Sequence, residues 1–86
     1  MAFFVNQKKH KPNASPEWDN GCHVKDDLNA AMHQFHAFLS TYAYGQDATV
    51  DYCACSVEAM DGRIVKNEVD DRIPVPEPPE PPEPEE

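Results

Sequence analysis

Two hydrophobic periods run along this chain, and each marks a different kind of element. From Lys25 to Tyr44 the apolar residues Leu28, Ala31, Met32, Phe35, Phe38, Leu39 and Tyr42 recur at helical spacing and line one stripe of an amphipathic helix. Asp26 and Asp27 stand where a helix N-terminus takes a side-chain cap and negative charge, and Gly45 follows where a left-handed residue ends the helix. Residues Ala48 to Ala59 are rich in β formers, Arg63 to Val69 alternate, and Met60-Asp61-Gly62 lies between them as a turn. At the start, Phe3, Phe4 and Val5 followed by polar residues predict a first strand over Ala2 to Lys9. Between Lys11 and His23, Pro12, Asn13, Ser15, Pro16, Asp19, Asn20 and Gly21 predict a loop, with Trp18 against the core.

The expected fold is α+β in the order β-α-β-β, one helix laid on a three-stranded sheet, with the place of the first strand left open. A three-residue turn with Gly62 left-handed sets Ala59 opposite Arg63, Val57 opposite Val65, Cys55 opposite Asn67 and Cys53 opposite Val69. A two-residue Asp-Gly turn sets Val57 opposite Lys66 and Cys55 opposite Glu68, putting charge beside small apolar residues; the bulged turn is preferred for that reason. The face away from the helix then carries Val50, Tyr52, Ala54 and Ile64, with Phe3 or Phe4 from the first strand. Such a face is hidden either by a second subunit or partner, or by the loop bearing Trp18.

Proline divides the chain. Seven of its nine prolines fall in residues 74–86, where neither helix nor central strand can form, so a polyproline II or disordered tail follows a single small domain over residues 1–73. Five glutamates and no base in that tail supply more than half of the net charge of −9. Glu77, Glu80 and Glu83 recur every third residue and line one edge of a polyproline II helix, about 9 Å apart. That ridge suits a basic protein partner or the chain's own Lys8, Lys9 and Lys11, although a solubilising spacer is the plainer reading. Phosphate contacts need clustered bases, and those three lysines are the only close group, so nucleic acid is not an expected partner.

No run approaches the ~20 apolar residues of a membrane helix, and the start lacks a secretory layout, so no membrane is expected and the cytoplasm is the expected location. Three cysteines, Cys22, Cys53 and Cys55, are too few and too odd a set for a disulfide framework. Cys53 and Cys55 share one side of a strand, about 7 Å apart, where small buried core residues are the plainer reading than a metal pair. His33 and His36 lie toward the solvent side of the helix, away from those thiols, and Cys22 and His23 add no converging set. No metal or cofactor is therefore expected. No nucleophile stands beside a base, and no glycine-rich phosphate loop occurs, so no catalytic residue is assigned and the chain reads as no enzyme.

The start Phe3-Phe4-Val5, the helix segment Ala30-Ala31-Met32-His33-Gln34-Phe35-His36-Ala37-Phe38-Leu39 and the hairpin Asp61-Gly62-Arg63-Ile64-Val65-Lys66-Asn67-Glu68 resemble small proteins encoded in phages and prophages of gut Firmicutes. The resemblance implies a phage-type accessory or virion-associated protein that binds other proteins and forms homo-oligomers. Expected binding residues are Phe4, Val50, Tyr52 and Ile64 on the open sheet face and Glu77, Glu80 and Glu83 in the tail. Two further readings stand beside it: an acidic inhibitor that mimics nucleic acid toward a host defence nuclease, and a small metal-binding regulator.

Overall fold

The computed structural model describes residues 1–74. It contains β1 (Phe3–His10), β2 (Trp18–Lys25), α1 (Leu28–Tyr42), β3 (Tyr52–Ala59) and β4 (Ile64–Asp71). The strands form one antiparallel sheet in the order β2-β1-β3-β4, and α1 packs across β1, β2 and β3 on one side of it. Glu77, Glu80, Glu83 and nearly all of the proline-rich tail lie outside the described residues.

The helix forms where its stripe lies. Asp27 caps it, its carboxylate accepting the Ala30 N–H at 2.7 Å, and Ala31, Phe35, Phe38 and Leu39 are buried. At the other end Tyr44 and Gly45 adopt φ of 55° and 84°, the left-handed turn that stops it. On the central strand β3 burial alternates strictly, Cys53, Cys55, Val57 and Ala59 facing α1. These small side chains let the helix approach closely, and Phe35, 1% exposed, fills the space between them and Val5 of β1.

Three expectations need correction. The sheet has four strands, because Trp18–Lys25 pairs along the whole of β1 and only residues 11–17 form the connecting loop. Its turn-forming residues mislead because β2 is an edge strand, exposed at almost every position, where local propensity weighs little against a hydrogen-bonded neighbour. Gly21 sits opposite Gln7 within the strand.

Val50 is not on the open face. It precedes β3 in the turn after the helix and is 7% exposed in the core. The strand starts two residues later, at Tyr52, after Val50 N–H has bonded to the Asp47 carbonyl.

The hairpin register also differs. The three-residue turn forms, with the Ala59 N–H on the Arg63 carbonyl and the Gly62 N–H on the Ala59 carbonyl, both at 2.9 Å. A bulge then intervenes: Glu58 faces Ile64, Val57 faces Lys66 and Val65 is left over. Cys55 thus faces Glu68 and Cys53 faces Asp70. The charges are not buried, since β4 is the second edge and α1 does not reach it. The chain leaving the helix uses them instead: Glu68 accepts the Tyr44 hydroxyl, and Asp70 accepts the Tyr44 N–H and holds Arg72.

Candidate protein-binding face

Register fixes what the face opposite α1 presents. Four cross-strand rows cross it: Val24, Phe4, Glu58 and Ile64; Cys22, Asn6, Ser56 and Asn67; Asn20, Lys8, Ala54 and Val69; Trp18, His10, Tyr52 and Asp71. Among the described residues no element lies over these rows. The row at one end is mainly apolar, with Ile64 57% exposed, and the row at the other is aromatic. Between them the two central rows carry amides and small side chains.

That arrangement makes a shallow hollow of about 570 Å³, with Ala54 and Ser56 on its floor and Asn6, Lys8, Asn20, Cys22, Tyr52 and Asn67 around it. Three amides, a hydroxyl, a phenol and one ammonium converge there on a surface bounded by aromatic rings. Such a mixture of orienting hydrogen-bond groups and apolar contact area suits recognition of a polypeptide surface.

The aromatic end is held by a cluster joining segments far apart in sequence. His10 Nδ1 lies 2.5 Å from the Asp51 carboxylate and His10 Nε2 lies 3.5 Å from Glu17. The Trp18 ring packs 4.6 Å from the His10 ring and 5.5 Å from that of Tyr52, with the Lys8 ammonium 6.0 Å from the indole centroid. Bonding to Asp51, aided by Glu17, outweighs partial desolvation and raises the His10 pKa. Through these two carboxylates the histidine acts as a clasp between β1, the 11–17 loop and the start of β3.

On the helix side, Lys9 lies 4.1 Å from the Tyr42 ring centroid and pairs with Asp19 at 3.4 Å. Burial opposes the Lys9 charge, yet Tyr42 and Asp19 together raise its pKa. The thiols of Cys53 and Cys55 are fully buried, and burial pushes both up, Cys55 to about 11. They are protonated core side chains at neutral pH. His33 and His36 are exposed on α1, and Cys22 is exposed on β2. Among the described residues no three His, Cys, Asp or Glu side chains gather to hold a metal ion.

Of the residues expected on this face, Phe4, Tyr52 and Ile64 are there and Val50 is not. Reading β2 as a loop concealed Trp18, Asn20 and Cys22, and with them the amide hollow. The 41-residue separation of His10 and Asp51 leaves no local trace in the sequence. No described helix is long and apolar enough to cross a membrane. No family model matches the chain, and no curated protein or solved structure matches it.

Proposed function

We propose that this protein is a non-enzymatic, phage-type accessory protein that works by binding another protein through the open face of its sheet. The observation that carries this reading is the uncovered four-stranded face, whose amide hollow is flanked by an aromatic row and an apolar row. A face with Trp18 46% and Ile64 57% exposed gains by leaving water when a partner covers it. The phage origin rests on the resemblance of the first strand, helix and hairpin segments alone.

Acidic mimicry draws less support from the described residues. Their carboxylates are scattered and several hold a local cation: Asp19 with Lys9, Asp61 with Arg63, Asp70 with Arg72.

The test uses Ala54→Arg, which fills the hollow while leaving the neighbouring core positions Cys53 and Cys55 untouched. Wild-type protein immobilised on beads is expected to retain a partner from infected-cell lysate or from particles. Ala54→Arg, with an unchanged circular dichroism spectrum, is expected to lose it. Equal capture by both proteins would remove the open face from the account, and truncation after Arg72 then shows whether the tail does the binding.

A further inference from the structure

We propose that β2 pairs edge to edge with β2 of a second copy, antiparallel about a two-fold axis through Cys22, joining the two four-stranded sheets into one continuous sheet. The proposal concerns the sheet's edge and stands whether or not the open face binds a partner.

The two sheet edges differ. β4 carries a bulge beside Val65 and the charged residues Lys66, Glu68, Asp70 and Asp71, devices that keep an edge from pairing. In contrast, β2 runs eight residues with no proline and in unbroken register with β1. The Lys11 N–H bonds to the Glu17 carbonyl at 2.9 Å in that same register, so the odd-numbered residues of β2 direct their backbone groups to β1. The N–H and C=O groups of Trp18, Asn20, Cys22 and Val24 therefore face the free edge.

A self-pairing must match these even positions with one another, and side-chain charge selects among the registers that remain. With Cys22 facing its own copy, Asn20 faces Val24 and Gly21 faces His23. Asp19 then faces Lys25 on both sides of the axis, so the two strands together make two opposite-charge pairs. A slip of two residues would put Gly21 on the axis, set Asp19 opposite His23 and leave Lys25 beyond the paired strand, facing only Glu17 of the connecting loop, which already holds His10. A slip the other way would bring His23 onto its own copy and leave Asp19 beyond the paired strand, with no partner in β2. Asp19 has room for the second cation, its side chain being 65% exposed beside Lys9.

Light scattering of the full chain over a range of concentrations is expected to show a monomer–dimer equilibrium. Asp19→Lys and, separately, Lys25→Asp should each weaken the dimer at least about tenfold, or about 1.4 kcal/mol. The double exchange D19K/K25D should restore it. Lys25→Asp is the cleaner single change, because Lys25 makes no ion pair within the described residues, and circular dichroism reports that each variant folds. A short bis-maleimide should link two wild-type chains and fail to link Cys22→Ser chains. A wild-type monomer at every concentration, a dimer indifferent to both single reversals, or a double exchange that restores nothing would each overturn the proposal.

Discussion

Replacing Phe35 by Ala removes the largest fully buried side chain of the core. It lies beneath the helix against a floor of Val5, Cys53, Cys55 and Val57, residues too short to collapse into the space left behind. Truncations of this kind cost about 3–5 kcal/mol, lost transfer energy and residual cavity together. A single core of this size supplies about 3–5 kcal/mol in all. The variant is therefore expected to be largely unfolded in water at 25 °C. Phe35→Leu keeps most of the volume and should cost about 1–1.5 kcal/mol, lowering the melting temperature by about 4–8 °C for each kcal/mol in a domain this small. His33→Ala, at an exposed position of the same helix, should change stability by no more than about 0.5 kcal/mol. Urea unfolding followed by helical circular dichroism measures all three, with an unchanged slope for the leucine variant. An alanine variant within about 1 kcal/mol of wild type would refute the placement of α1 on the sheet.

Thiol titration of native protein should label Cys22 rapidly and leave Cys53 and Cys55 unreacted until denaturant is added, since both are buried and burial raises their pKa values. Gly62→Ala should destabilise by about 1 kcal/mol, because Gly62 has φ of 91°, while open space around it rules out a clash; urea unfolding checks it. Tyr44, bonded to Glu68, has its pKa raised to about 12 from an ordinary 10. Its contribution to stability is complete below pH 10 and lost as pH rises toward 12, and absorbance titration should show Tyr44→Phe removing the late-ionising phenol. His10 follows the same sign: its folded pKa lies above 6.5, so the Asp51 contact stabilises most below that pH and fades as pH rises through the raised value. Asp51→Asn should lower the His10 pKa measured by NMR.

Legibility in the sequence followed the strength of burial. The helix stripe from Leu28 to Tyr42, its cap at Asp27 and the alternation along β3 could be read directly, because each buries a face whose period the chain must keep. Residues that bury little carried little signal. Trp18–Lys25 looks like a loop because an edge strand needs only hydrogen bonds on one side, and those leave no mark on side-chain pattern. The reach of the helix decides the hairpin register: with β4 beyond α1, Glu68 and Asp70 are free to face the helix side and bond Tyr44. The same gap hid the candidate face. Tyr52 and Ala54 were placed by alternation, whereas Asn6, Asn20 and Asn67 meet only once β2 joins β1 and the Val65 bulge resets β4.

Two neighbouring residues of β3 test most directly that the helix covers one side of the sheet and leaves the other free. Ser56 lies on the open face between Asn6 and Asn67, and Val57 is 0% exposed beneath α1. Ser56→Lys should fold with stability within about 1 kcal/mol of wild type, its ammonium reaching water across the hollow. Val57→Lys should fail to fold, because an unpaired charge in the core costs several kcal/mol. Urea unfolding of the two variants side by side gives the answer: loss of folding in both, or retention in both, would contradict a sheet covered on one face alone.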